Sequence, residues 1–233
     1  MNSYDFYLMG EKLSALGSGG LFWGDKKILC VSDLHLGKAH RLNRDGAGAL
    51  PPYENIDTLK RLQADIRTTN PSCVICLGDS FDDPLAERSL DSVEIDLLKT
   101  LQKDRDWIWI SGNHDPYPSY SYRKYFNSFS KSSITFRHIA LVSENGEISG
   151  HYHPKISIKL SKATVSRACF IADQNRIIMP AYGTYTGGMS VRSDEIKALV
   201  EPDAAVVLTG NKIRVIPYSL CFCGLNISRH FVN

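Results

Sequence analysis

The sequence predicts an α/β fold with a parallel sheet and a second, β-rich layer packed on it, and three observations carry this. Between Lys27 and Ser111 the apolar runs KILCVS, CVICLG and DWIWIS alternate with two stretches of helical periodicity, the signature of parallel βαβ units. Downstream the texture turns β-rich (IALV, KISIKL, RACFIA, RIIMPAY, AAVVL, KIRVIPY), and a second sheet facing the first buries so many apolar strands. The chain has 233 residues, 43% hydrophobic and 22% charged, enough for one sizeable domain over 1–233 and not for a second.

The elements follow in order. Residues 4–31 alternate and turn (YDFYLMG, KLSAL, GSGG, LFW), a small meander with turns at Gly17 to Gly20 and at Gly24-Asp25, leading into the first buried strand. That strand delivers Asp33 and His35; Leu34 and Leu36 point the other way, so the pair shares one side wherever extended geometry persists. KAHRLNRDGAGALPPYE reads as a long active-site loop or a surface segment without fixed structure. Ile56, Leu59, Leu62 and Ile66 recur at helical spacing, and Pro71 bars that helix from continuing.

CVICLGDS is the second buried strand and ends on Asp79. Asp91 with Glu94 marks the next helix start, with Leu90, Val93, Leu97, Leu98 and Leu101 expected on its buried face. DWIWIS is the third strand, and Gly112 lets the chain turn sharply to present Asn113, His114 and Asp115 beyond its end. Tyr117, Tyr120, Tyr122 and Tyr125, interleaved with Arg123 and Lys124, either stack unpaired bases or cover the sheet edge, the edge reading being preferred. A short helix is expected near Asp194 to Val200, and CFCGLNISRHFVN as a peripheral tail.

A net charge of +2 and a pI near 8.2 are too mild to argue nucleic-acid binding alone, so any polyanion site must be local. No apolar run approaches the roughly 18 residues of a membrane span, and MNSYDFYLMGEK lacks the features of a signal peptide; a cytoplasmic protein is expected. Cys30, Cys73, Cys76 and Cys169 lie in apolar strand runs and read as buried thiols. Cys73 and Cys76 form a CxxC, but an offset of three on a strand puts them on opposite faces.

The chemistry sits at the polar tips of four apolar runs: DLH, GD, GNHD and GHYH. They gather Asp33, His35, Asp79, Asn113, His151 and His153, an oxygen and imidazole set suited to two divalent cations. Taken singly, an Asp at a strand end is more often a cap or turn former, and a lone His a polar residue with a partner. Four such motifs in order, holding four of the 7 histidines, argue against chance. Asp79 is the candidate bridge; Asp33, His35 and His153 would complete one site, and Asn113 and His151 contribute to the other. His151 and His153, two apart on an extended segment, would point the same way and serve adjacent metals.

DLH, GD, GNHD and GHYH, in that order across residues 28 to 154, resemble the signature of the calcineurin-like metallophosphoesterases. The resemblance implies a two-sheet α/β/β/α metallophosphoesterase sandwich, a two-metal centre of manganese, with iron or zinc as alternatives, and hydrolysis of phosphate esters. LFW, SDLHLGKAHR, LGDSF, DWIWISGNHDP, GHYHPK and MPAYGTYTGG look like the bacterial DNA-ligase-associated branch. That branch implies a phosphodiesterase or endonuclease of the DNA damage response, functionally linked to an ATP-dependent DNA ligase. Two departures stand out. A histidine of the second metal should precede GHYH on a strand, where this chain has Ser143, so the second site is expected to bind weakly; His138, five residues upstream and roughly 16 Å away on an extended strand, is not expected to replace it. Family members also often carry histidine in the stretch that reads SFDD here, around Asp82.

The mechanism expected has His114 protonating the leaving oxygen and Asp115 holding the His114 ring; the alternative has His114 orienting Asn113. Lys38, His40, Arg41 and Arg44 either hold a phosphodiester backbone at the metal edge or form a solvated charged loop. Three functions stay open: a nuclease or phosphodiesterase acting on DNA, a phosphomonoesterase for nucleotides or phosphoproteins, and a metal-depleted nucleic-acid-binding subunit without catalysis.

Overall fold

The computed structural model describes residues 2–46, 51, 53–116, 124–159 and 164–222. The expected meander forms: β1 (Ser3–Leu8), β2 (Glu11–Leu16), β3 (Leu21–Trp23) and β4 (Ile28–Val31) pair antiparallel in succession. Helices α1 (Lys38–Arg44) and α2 (Glu54–Thr69) follow, then β5 (Cys73–Leu77), the short α3 (Ala86–Ser89), α4 (Ser92–Gln102), β6 (Asp106–Ile110) and β7 (Tyr125–Phe126). From β4 to β7 the pairing is parallel, so β4, β5 and β6 end on one edge.

The second sheet holds β8 (Ser128–Lys131), β9 (Ile134–Arg137), β10 (Glu147–Ser149), β12 (Thr164–Ala172), β13 (Arg176–Ile178), β14 (Ala205–Leu208) and β15 (Arg214–Pro217), in the order β15-β14-β12-β13-β10-β9-β8. Strand β11 (Lys155–Lys159) pairs with β12, and a short α5 (Asp194–Lys197) precedes β14. Strands β9, β10 and β13 are parallel, which sends their ends to a common edge as well. This is the expected α/β architecture of two mixed sheets with helices.

Alternation along each strand divides the burial between layers. Ile75 and Leu77 of β5 face the inter-sheet core with Phe136, Ile148, Phe170 and Ile177, while Val74 and Cys76 face Leu59 and Leu62 of α2 and Leu98 and Leu101 of α4. Cys73 packs against the inter-sheet core, so the CxxC does straddle the sheet, and the cysteines among the described residues are free thiols. A third cluster, with Ile196, Leu199 and Val200, covers the outer face of the second sheet. Each side chain so buried contributes about 1.5–3 kcal/mol.

The helix ends read locally. Asn70 in the left-handed region closes α2 before Pro71, and Asp91 with Glu94 forms a full capping box on α4. Val93, expected on the buried face of α4, is 63% exposed; Leu90, Glu94, Leu98 and Leu101 form that face, with Glu94 drawn in by its bond to the Asp91 amide. Lys38–Arg44, expected as loop, is helical because α2 caps it: Asn55 Oδ1 accepts from Gly37 N and Glu54 Oε1 from Ala39 N, both at 2.8 Å. Tyr117, Tyr120, Tyr122 and Arg123 lie outside the described residues, as does the tail beyond Phe222. Among the described residues no helix is long and apolar enough to cross a membrane.

Candidate metal centre

The strand ends of both sheets converge on two neighbouring groups of side chains: Asp33, His35 and His153, and Asp79, His138 and His151. Within each group the ligand-type atoms lie within 4.8 Å of one another. Each group draws on both sheets, with Asp33, His35 and Asp79 following strands of the first and His138, His151 and His153 following strands of the second. Asn113, beyond β6, joins the second group: its Oδ1 lies 3.0 Å from His138 Nε2 and 2.9 Å from His151 Nδ1.

The backbone makes this convergence. Asp33, His35, Asp79, His151 and His153 all have positive φ, between 43° and 69°, a region non-glycine residues rarely adopt. The extended geometry expected over 33–35 and 151–153 therefore does not persist, yet His151 and His153 still serve the two adjacent groups. Glycines allow the crowding: a Cβ on Gly112 would strike the Asp79 carboxylate, one on Gly150 the Asp33 and Ser32 side chains, and one on Gly78 the His138 ring.

Each carboxylate spends one oxygen on orientation and turns the other inward. Asp33 Oδ2 accepts from Ser32 Oγ and, at 3.1 Å, from His151 N, which also reaches Oδ1 at 3.3 Å; Oδ1 lies closer, 3.0 Å, to His153 Nε2. Asp79 Oδ1 accepts from His114 N at 2.8 Å, while its Oδ2 lies 3.2 Å from His138 Nε2 and 4.0 Å from His35 Nε2. One oxygen of Asp79 thus faces imidazoles of both groups. The rings are oriented from behind: His35 Nδ1 donates to Asp82 Oδ1 at 2.8 Å, and His138 Nδ1 to the Leu77 carbonyl at 3.1 Å.

These residues fit divalent cations. The buried Nε2 atoms of His35 and His153 have no hydrogen-bond partner, although that of His153 lies close to Asp33. In a neutral His138 ring that donates from Nδ1, Nε2 presents a lone pair to the lone pairs of Asp79 and Asn113, an arrangement resolved by a cation between them or by a second proton. Burial works against charge on the His138 ring, but Asp79, Asp33 and the Leu77 carbonyl outweigh it and carry its pKa up to about 9. Burial likewise disfavours the Asp79 anion, yet His138, the His114 amide and His35 hold its pKa down at about 2.

Three sequence expectations are corrected. Ser143 lies in an exposed turn, and His138 takes the position assigned to it. The distance argument failed because 139–146 is turn and loop, not strand: His138 is itself the tip of β9. ITFRH has the same apolar run and polar tip as the other motifs, the signal that was available. The expectation of a poorly furnished second group rested on Ser143 and goes with it. Asp115 does not hold the His114 ring; its carboxylate accepts from the amides of Ser80, Phe81 and Gly112, pinning the two strand-end loops together. Burial, and then the Asp79 charge, push that carboxyl up to about 6 against these bonds.

His114 is oriented instead by Asp82, whose backbone carbonyl lies 3.0 Å from its Nδ1, and its ring packs edge-on to His35. The Asp82 side chain is fully buried and, besides His35, takes Lys38 Nζ at 3.3 Å and Arg41 Nε at 2.5 Å. Arg44 pairs with Asp83, and His40 is exposed. The basic residues of α1 are therefore engaged first with carboxylates of the site's own wall. Tyr125 donates its hydroxyl to the Asp115 carbonyl at 2.5 Å and Lys124 pairs with Asp106, both supporting the edge reading of that stretch.

A protein-family model described as calcineurin-like phosphoesterase matches residues 26–210, which take in every one of these side chains. The chain belongs to the calcineurin-like phosphoesterase family. As a member it is a phosphoester hydrolase, and the family works with divalent metals. Among solved structures, the crystal structure of the Pseudomonas putida nuclease MPE matches with a TM-score of 0.68 at 21% identity, covering 93% of this chain and 100% of that one, a likeness of fold. No curated protein matches the sequence.

Proposed function

We propose that this calcineurin-like phosphoesterase hydrolyses phosphodiester bonds, with DNA as its substrate. Asp33, His35, Asp79 and His153 would hold one divalent cation, and Asp79, Asn113, His138 and His151 the other. The observation that carries this is the placement of Asp79 Oδ2 between the imidazoles of His35 and His138, where one carboxylate serves both groups. Two bound cations supply an activated water and neutralise charge on the phosphoryl oxygens. His114, exposed at the rim with its Nδ1–H donated to the Asp82 carbonyl, presents Nε2, which in the doubly protonated ring would give its proton to the leaving oxygen.

Manganese suits the mixed carboxylate, amide and imidazole set, with iron and zinc next. The helix Lys38–Arg44 is joined to the His35 site through Asp82, so a polyanionic backbone at the metal edge would share Lys38, Arg41 and Arg44 with the carboxylates of Asp82, Asp45 and Asp83. Likeness of fold to a nuclease and resemblance to the ligase-associated branch support a role in DNA repair, in the cytoplasm beside an ATP-dependent DNA ligase. The test is turnover of bis-p-nitrophenyl phosphate against p-nitrophenyl phosphate, and of single- and double-stranded DNA, with each metal, for the natural chain and Asp79→Asn. Diester cleavage lost in Asp79→Asn, together with the metal of both groups, is expected. Preference for the monoester would move the reading to a phosphatase, and inactivity on all substrates to a binding subunit.

A further inference from the structure

The loop from Tyr182 to Met189 holds an exposed aromatic side chain in a conformation that its sequence does not favour. Tyr185 has φ of 63° and is 41% exposed. A bulky residue in the left-handed region is a conformational outlier, and such outliers persist only where their surroundings impose them.

Here the surroundings do so on both sides. Before Tyr185, Thr184 N donates to Thr58 Oγ1 at 3.0 Å and Thr184 Oγ1 to Asp57 Oδ2 at 2.7 Å, which tie it to α2. After it, Thr186 Oγ1 donates to the Gly183 carbonyl at 3.0 Å, and Lys155 Nζ to the Thr186 carbonyl at 2.8 Å.

The loop also runs along the first ligand group. Tyr182 N and Gly183 N donate to the carbonyls of Ser32 and Asp33, at 2.7 and 3.0 Å, and Met189 N donates to that of Tyr152 at 3.1 Å. A Cβ on Gly183 would strike the Leu34 carbonyl, and one on Gly188 that of His153, so the loop lies directly against the backbone that carries Asp33, His35 and His153. The anchored loop thus holds Tyr185, 41% exposed, on the segment that flanks the backbone of the first ligand group.

We infer that Tyr185 is a substrate-binding residue, a platform on which the base next to the scissile phosphodiester stacks. The ring offers a face to any base, and Lys155 adds a cation beside it, the combination by which proteins hold unpaired nucleic acid. The inference rests on the phosphodiesterase reading and narrows its substrate to a strand with an unpaired base at the cleavage point.

The test uses the full manganese-loaded chain and compares kcat/KM for single-stranded DNA with kcat/KM for methyl p-nitrophenyl phosphate, a diester without a base. Tyr185→Ala should lower that ratio roughly five- to hundredfold, the usual worth of one base stacked on an aromatic ring, and Tyr185→Phe should keep it within about twofold. An oligonucleotide abasic at the cleavage point should lose as much with the natural chain and nothing further with Tyr185→Ala. Tyr185→Gly, which relieves the backbone, should raise the melting temperature by about 2–4 °C while losing the ratio like alanine. An unchanged ratio in Tyr185→Ala, or equal losses in the alanine and phenylalanine variants, overturns the inference and leaves the phosphodiesterase reading standing. A natural chain that hydrolyses neither diester overturns that reading, and the inference with it.

Discussion

His35 Nδ1 donates to Asp82 Oδ1 at 2.8 Å, so a carboxylate wholly inside the protein fixes which nitrogen of His35 faces the ligand group. The same carboxylate takes Lys38 and Arg41 of α1. Asp82→Asn keeps an acceptor but removes the charge, and metal affinity at the His35 group should fall about 10- to 100-fold. Calorimetric titration with manganese reads this directly, and unaltered affinity would reduce Asp82 to an anchor for α1.

His138 and Ser143 make opposite claims on the second group. His138→Ala should bind one equivalent of metal where the natural chain should bind two, with circular dichroism unchanged. Ser143→His, on an exposed turn, should change neither stoichiometry nor turnover. A gain of affinity in Ser143→His would restore the correspondence that the geometry rejects.

His114→Ala should retain both metals and slow substrates with poor leaving groups by roughly 10² to 10⁴, the usual worth of general acid catalysis. Nitrophenyl esters, whose leaving group needs little protonation, should lose less. A uniform loss across a leaving-group series would assign His114 to orienting its neighbour Asn113.

Gly112→Ala tests the crowding without touching a charge. The added methyl would meet the Asp79 carboxylate, the Asp79 amide and Asp115 Oδ1, so Asp79 must move. Overpacking of this kind costs about 1–3 kcal/mol, and both metals should weaken together because Asp79 faces both groups. A melting temperature and metal stoichiometry equal to the natural chain's would show that the loop absorbs a methyl group freely.

The fold was legible where it depends on periodicity and punctuation. Alternating runs located the strands, Pro71 the end of α2, and Asp91 with Glu94 the start of α4. The candidate site was legible wherever a residue follows a strand end in a short motif, which covers Asp33, His35, Asp79, Asn113, His151 and His153. His138 was missed because rejecting it assumed a strand continuing through 139–146; only the tertiary fold reveals that the chain turns away and leaves His138 at the tip. The helix Lys38–Arg44 was missed because its caps come from Glu54 and Asn55, residues distant in sequence and so invisible to any local pattern. The tasks of Asp82 and Asp115 could not be told apart from composition, since both are carboxylates close to His114 along the chain or in space.

Both ligand groups take side chains from each of the two sheets, so an ion bound in either group fastens one layer to the other. Withdrawing metal with a chelator would then do more than stop turnover: it would unlatch the edge of the sandwich at which β4, β5, β9 and β10 end. Amide hydrogens along that edge should exchange faster in the stripped protein while those at the far end of the same strands keep their protection, making metal occupancy readable as a gradient of exchange along single strands.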